Sequence, residues 1–449
     1  MILYSILFLL GVLLGALANL AAESLGWFSQ RRNPWLPTDS KTLQKPDWRD
    51  RCPIVGWVFF ARKRAGWGRF FWVRPLLVEI LMGGVAIFFY RSSVESILAM
   101  SNACSIPLDW GELLSIYCRY AFQMIFVWIM LSASLIDMDE KTIPDSLTVS
   151  GTLFALLVAA AFPITLPWGV VKSEIQMVPE PHWVQVVEPI VVQPPTQLYY
   201  FPEIFWSPKY CSHAILQPLS ASAPFPALGV MREDGVGGLL SALACWAGWC
   251  FALLDRRWYS KRGFGVALAI FVRRILRAKE TSAIYRMFQI GLFFIIFVWV
   301  FNSPHWFNLH TALLGLGISG GFLWLIRLTS AFAMGREAMG FGDVLLFAMF
   351  GAFLGWQPCI ILFFIAPFAG LVVGLLLWLL RKETIVPYGP FLCLGALFVM
   401  WNWCFLWYLT RPIFALGGRL ALLGAGCLLL MAILLSISRW IKRRLGIDA

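Results

Sequence analysis

The chain reads as an all-α polytopic integral membrane protein with about eleven transmembrane helices, on three observations. First, 60% of its 449 residues are hydrophobic and 13% are charged, about half the charged share of roughly 25% found in soluble domains. Second, apolar runs of about 20 residues, long enough to cross a bilayer, recur from end to end. Third, Lys and Arg outnumber Asp and Glu by 36 to 24 and gather in the short segments between those runs, the mark of cytoplasmic loops. The net charge of +12 is therefore assigned to topology. No basic helix, finger or base-stacking module accompanies it, so membrane lipid is expected as a partner and nucleic acid is not.

The elements follow in order. Residues 1–22 supply the first helix, Ile2–Ala22. No basic residue precedes it and it exceeds a signal-peptide core, so it is read as retained, with its N-terminus outside the cytoplasm. Residues 23–74 form a basic cytoplasmic loop, with Arg31, Arg32, Arg49, Arg51, Arg62, Lys63, Arg64, Arg69 and Arg74 among its cations. Within 75–168, Pro75–Tyr90 leads out, Arg91–Ile116 is a short mixed connection, Tyr117–Ile136 returns and Leu147–Trp168 leaves again. Residues 169–235 are rich in Pro, Val and Gln, with only Lys172, Lys209 and Arg232 as cations, and read as a non-cytoplasmic insertion. In 236–326 come three spans, Val236–Leu254, Met287–Phe301 and Leu309–Ile326. A basic cytoplasmic segment separates the first two, and its Phe264–Ile275 suits a helix lying on an anionic membrane surface. Residues 327–412 hold a cytoplasmic loop ending in a glycine turn and the spans Asp343–Gly355, Cys359–Leu380 and Phe391–Leu409. Residues 413–449 give a C-terminal helix, Phe414–Ile437, and a basic tail. One alternating path puts every strongly basic segment on one side, and on that path Asp137 and Asp343 both emerge at the cytoplasmic face.

Those two aspartates carry the chemistry. A carboxylate beside hydrocarbon costs about 2.5–3.5 kcal/mol at a helix centre and usually serves chemistry or transport. Two that share one proton can hydrolyse a peptide bond, because like charges a few ångströms apart cannot both ionise. Gly340 and Gly342 suit the turn before Asp343, since glycine tolerates positive φ and close approach. Asp343 falls in the first turn of a helix, where the dipole favours an anion and hence a base, while Asp137 follows a helix C-terminus and suits the acid. In a coupled pair that division belongs to the pair as a whole. Other chemistries lack their residues. The ten cysteines contain no Cys-x-x-Cys, Cys245 and Cys250 read as apolar thiols, and no His-Glu-x-x-His occurs. His182, His213, His305 and His310 fall on or near the outer side, away from the two acids.

The residues also resemble a family. Arg336-Glu337-Ala338-Met339-Gly340-Phe341-Gly342-Asp343-Val344, followed by Gly351-Ala-Phe-Leu-Gly-Trp356, looks like the Glu-x-Met-Gly-x-Gly-Asp box of the type IV prepilin peptidases, GxGD-type aspartic membrane peptidases. Leu135-Ile136-Asp137-Met138-Asp139-Glu140, ending in Ile143-Pro144-Asp145, looks like their first aspartate box, with Asp137 rather than Asp139 at the catalytic position. Pro387-Tyr388-Gly389-Pro390-Phe391 is similar to the Pro-Phe-Gly-Pro-Phe before their last helix. Gly15–Asn19, Pro53–Trp57 and Arg74–Glu79 resemble their N-terminal segments. The chain departs from the pattern at three points. The first loop lacks the two Cys-x-x-Cys pairs and keeps only Cys52, Leu345 replaces a common Lys, and an insertion with extra spans separates the boxes.

The resemblance implies an aspartic endopeptidase of the bacterial inner membrane, active at the cytoplasmic face on prepilins or pseudopilins with basic leaders. Asp139, Glu140, Asp145 and Glu337 are candidates to receive the leader. The peptidase step needs no cofactor. N-methylation of the new N-terminus would use S-adenosylmethionine, with Glu79 as a candidate to hold the amine, and the missing cysteines argue against zinc and put this second activity in doubt. Two alternatives share the topology: a transporter with glycine-broken helices, and an inactive scaffold of pilus or secretion assembly.

Overall fold

Apolar runs without water must satisfy every backbone group internally, and helices do this within one segment. The computed structural model describes residues 2–26, 48–63, 71–95, 98–99, 110–162, 168–172, 214–218, 235–254, 279–301, 304–335, 339–381, 388–414, 416 and 418–444. Its helices are α1 (Ile2–Leu25), α2 (Val55–Lys63), α3 (Val73–Tyr90), α4 (Trp110–Glu140), α5 (Asp145–Ala161), α6 (Val236–Ala252), α7 (Lys279–Val300), α8 (Pro304–Met334), α9 (Phe341–Leu354), α10 (Trp356–Arg381), α11 (Gly389–Phe414) and α12 (Gly418–Arg444). Two short strands, β1 (Trp168–Lys172) and β2 (Ala214–Pro218), pair antiparallel with Val170 opposite Leu216. The protein is an all-α polytopic membrane protein. Among the described residues six helices are long and apolar enough to cross a bilayer, and five shorter apolar helices accompany them.

Several helices outrun the apolar stretches that announce them. α4 starts at Trp110 and α8 runs from Pro304 to Met334, because backbone hydrogen bonding continues past the hydrocarbon-facing run. In the other direction, α5 stops at Ala161 rather than reaching Trp168. Outside the described residues lie most of the 169–235 insertion, the surface helix expected at Phe264–Ile275, much of the 23–74 loop, and Glu337, Pro387, His182 and His213.

Two compact units emerge from the contacts. The first comprises Met1–Leu153, Gly340–Leu346 and Ile361–Trp403. Here α1 and α3 pack nearly backbone to backbone. A Cβ on Gly11 would lie 2.6 Å from the Met82 carbonyl oxygen, and one on Gly15 would lie 2.7 Å from the Glu79 Cα. The two glycines stand four apart, the small-xxx-small spacing that lets membrane helices touch without a hydrophobic drive between them. Asn19 Nδ2 then donates to the Pro75 carbonyl at 3.0 Å, and the Tyr4 hydroxyl donates to Glu95 at 2.6 Å at the other end. Ala18, Val78 and Leu135 form a buried cluster that brings α4 onto this pair, and the Tyr120 hydroxyl donates to the Ala86 carbonyl at 2.9 Å.

The second unit comprises Phe154–Met339, Phe347–Ile360 and Cys404–Ala449. Gly315 of α8 and Gly351 of α9 face each other so closely that a Cβ on either would overlap the other's carbonyl oxygen. The Trp246 ring occupies the space over Gly291, and its Nε1 donates to the Phe288 carbonyl at 3.1 Å. His305 Nδ1 meets the Ala160 carbonyl at 2.8 Å, and His310 Nε2 meets Ser241 Oγ at 3.0 Å. Gly335, at φ +70°, ends α8, and Arg439 of α12 donates to the Ala333 carbonyl at 3.5 Å, satisfying a carbonyl that a helix end leaves open. No part of the apolar window Arg419–Ile441 on α12 is buried, so its leucines suit lipid.

Candidate active site

Asp137 sits in the last turn of α4 and is 4% exposed. The helix stops three residues later, where Lys141 takes φ +57° and its N–H donates back to the Asp137 carbonyl at 2.9 Å. A non-glycine residue in the left-handed region is uncommon, and here it turns the chain through Thr142–Pro144 into α5. The side chain of Asp137 points the other way, to the start of α11, where its Oδ2 accepts the Gly389 N–H at 3.0 Å. This donor belongs to the first turn of a helix, whose amides have no intrahelical acceptor, so the carboxylate fills an acceptor position that the fold leaves open.

Asp343 lies in the first turn of α9 and accepts a backbone hydrogen bond from Gly340. Asp137 and Asp343 are within electrostatic range of each other, and Cys393, one turn after Gly389, is within range of both. The Cys393 thiol itself donates to the Met130 carbonyl at 3.4 Å, which ties α11 to α4 just below Asp137. One apolar side chain separates the two acidic segments: Ile143 lies 3.3 Å from where a Cβ on Gly342 would be and 3.3 Å from where one on Gly389 would be.

Of the two properties expected of these glycines, positive φ is absent and close approach remains. Among the described residues the positive-φ glycines are Gly235, Gly335 and Gly355, so neither Gly340 nor Gly342 supplies a left-handed turn. What they supply is room. Gly342 lies under Ile143, and a Cβ on Gly340 would rest 3.6 Å from Asp343 Oδ2. Gly389 is tighter still, with Asp137 Oδ2 only 2.5 Å from its absent Cβ. Pro390 follows Gly389 in the first turn of α11, where a missing N–H costs nothing. Tyr388 precedes it, and burial together with the Asp343 carboxylate pushes its phenol up to about 12. Tyr388 thus stays a neutral phenol near neutral pH, within electrostatic range of Asp343. The sequence flagged the segment but not this hydroxyl; the signal was Tyr where the resembled segment has Phe.

The remaining candidates are scattered. Asp139 pairs with Arg74 at 2.5 Å. Glu140 packs against Gly26. Asp145 is exposed at the start of α5 and, among the described residues, makes no ion pair. Glu79 is 1% exposed. Its carboxylate accepts the Ile54 N–H at 2.5 Å and Trp57 Nε1 at 2.7 Å, with Asn19 as a further donor. Ile54 is held at φ +63° beneath it. A carboxylate already engaged by three N–H donors does not fit a site for a sulfonium or an amine, so no methyl-transfer step is derived from it.

The candidate site is thus a pair of acids on helices of a polytopic membrane protein, and part of the chain is similar to the type IV leader peptidase family. Residues 280–375 match that family, a stretch that contains Asp343 and its glycines and ends before Tyr388 and Gly389. The chain is 41% identical over 105 residues to a prepilin leader peptidase/N-methyltransferase of Pectobacterium carotovorum subsp. carotovorum, covering 22% of this chain and 38% of that protein. It is 27% identical over 175 residues to the protein of the same name from Legionella pneumophila, covering 38% and 58%. With the one from Escherichia coli (strain K12) it shares 33% over 101 residues, covering 22% and 45%. The chain therefore spans less than two thirds of each of these relatives. No solved structure matches.

Proposed function

We propose that the chain is a prepilin leader peptidase, an aspartic endopeptidase that cleaves the basic leader of type IV prepilins or pseudopilins at the cytoplasmic face of the bacterial inner membrane. The observation that carries this reading is the convergence of Asp137, Asp343 and the Gly389 N–H in one compact unit. Two carboxyl groups in mutual range hold one proton between them. The ionised member takes a proton from water as the water oxygen bonds to the scissile carbonyl carbon. The protonated member gives its proton to the carbonyl oxygen, and a diol forms. Collapse of the diol breaks the C–N bond, with a proton passing to the leaving amine. Asp137, anchored by Gly389, keeps its orientation throughout, while Asp343 is carried in the first turn of α9. Tyr388, a neutral phenol within electrostatic range of Asp343, is a further candidate donor. Among the described acids offered to the basic leader, Asp145 is exposed at the start of α5.

The rate of leader removal from a co-expressed prepilin tests this. Asp137→Asn and Asp343→Asn are each expected to abolish the size shift on a gel. Normal processing by either single variant would sink the dyad. Mass spectrometry of the mature N-terminus reads methylation separately.

A further inference from the structure

Asp137 is held at its side chain by Gly389 and at its carbonyl by Lys141. A third restraint acts on the helix turn that carries it, and it comes from Arg74. Arg74 lies in the first turn of α3, beside the Pro75 carbonyl that accepts from Asn19. Because α1 and α3 meet through Gly11 and Gly15, this end of α3 is a rigid mount. From it the Arg74 guanidinium makes two contacts with α4: Nη1 pairs with Asp139 Oδ1 at 2.5 Å, and Nη2 donates to the Leu135 carbonyl at 3.1 Å. Leu135 and Asp139 stand two residues to either side of Asp137. One cation thus spans the turn from which the buried carboxylate projects.

We infer that Arg74 is a positioning residue for Asp137, acting through Asp139 and the Leu135 carbonyl, and that Asp139 is a strut of the site rather than a receiver of the basic leader. This rests on the peptidase reading above. The physical case is geometric. Arg74 and Asp139 are 44% and 54% exposed, and an ion pair that open to solvent adds little to global stability. A planar guanidinium with two donors engaged, however, fixes direction as well as distance. A cation also suits the carbonyl end of a helix. Arg74 is therefore expected to set the aim of a helix end while contributing little to melting.

Kinetics and hydrogen exchange of the full-length protein in detergent test this. Arg74→Gln should lower kcat on a prepilin between about 10- and 100-fold, as small misplacements do, with KM and melting temperature nearly unchanged. Asp139→Asn should do the same more weakly, since the Leu135 contact survives. Arg74→Lys should recover only part of the loss, because one ammonium does not match both acceptors. If both neutral variants instead raise KM and leave kcat intact, Asp139 is a leader subsite and the inference is wrong. The exchange arm needs no substrate: Arg74→Gln should speed deuterium uptake across residues 135–141 relative to wild type. Unchanged uptake there overturns the positioning role. A wild-type chain that cuts no prepilin overturns the proposed function alone and leaves the exchange result to decide this inference.

Discussion

Replacing Gly389 by alanine tests the site through a single methyl group. The added Cβ would sit 2.5 Å from Asp137 Oδ2, 3.2 Å from its Cγ and 3.3 Å from Ile143 Cδ1. Ordinary contact begins at 3.4 Å, so the carboxylate must yield by about 0.9 Å, and a misplacement of about 1 Å can cost about 100-fold in rate. The substitution keeps the backbone N–H that Asp137 accepts, so loss of the hydrogen-bond donor is not in play. The expected outcome is a kcat reduced by about 100-fold with a melting temperature near wild type and KM little changed. Cleavage of a prepilin by detergent-solubilised enzyme, followed over time on gels, measures the first; fluorescence-monitored melting measures the second. An alanine variant that folds normally and cleaves at the wild-type rate would refute the idea that Gly389 is required for clearance at Asp137.

The two glycines before Asp343 should separate. Gly340→Ala meets only an ordinary 3.6 Å contact and should keep most activity, while Gly342→Ala presses on Ile143 at 3.3 Å and should lose more of it in the same assay. Ile143→Ala removes the spacer beside both Gly342 and Gly389, and should cost about 2 kcal/mol of stability along with a loss of kcat, read by melting and cleavage together. Glu79→Ala leaves the Ile54 N–H and Trp57 Nε1 without their acceptor. It should cost about 1–3 kcal/mol and expose residues 48–63 to limited proteolysis, with Glu79→Gln milder because one oxygen remains. For Tyr388 the folded phenol binds its proton more tightly than the unfolded one, so its stabilising share is whole below the ordinary value of 10 and fades as pH rises toward about 12. Tyr388→Phe should remove that portion of the alkaline melting curve and lower kcat without shifting the neutral part of the pH–rate profile.

The helices and their order were legible because apolar length and loop charge are local signals. Asp137 and Asp343 stood out for the same reason: a carboxylate beside hydrocarbon is conspicuous in any single window. The partners of those acids were not. Gly389 meets Asp137 across 252 residues of sequence, and Arg74 meets Asp139 across 65; no pattern within one segment encodes either contact. The glycines misled in an instructive way. Two glycines before an aspartate suggest positive φ, yet neither takes it, and the need for volume at Gly342 is disclosed only by its packed neighbour Ile143. Asp139 looked like an open acid because Arg74 is remote in sequence. Glu79 looked like a site for an amine, since nothing in its own helix announces that the Ile54 amide and the Trp57 indole come to it.

The glycine seam between α1 and α3 bears on how such a chain is made. The pair closes through Gly11, Gly15 and Gly83, with hydrogen bonds from Asn19 to Pro75 and from Tyr4 to Glu95. All of these residues lie between positions 4 and 95, ahead of residue 343 in the order of translation, and none of those contacts involves a later segment. The mount that Arg74 stands on is therefore available to assemble in the bilayer long before residue 343 is translated. Insertion would then proceed from a finished frame to the chemistry fitted into it, so an amino-acid change at Gly11 or Gly15 should appear first as a biogenesis defect, with less protein reaching the membrane, rather than as a slow enzyme.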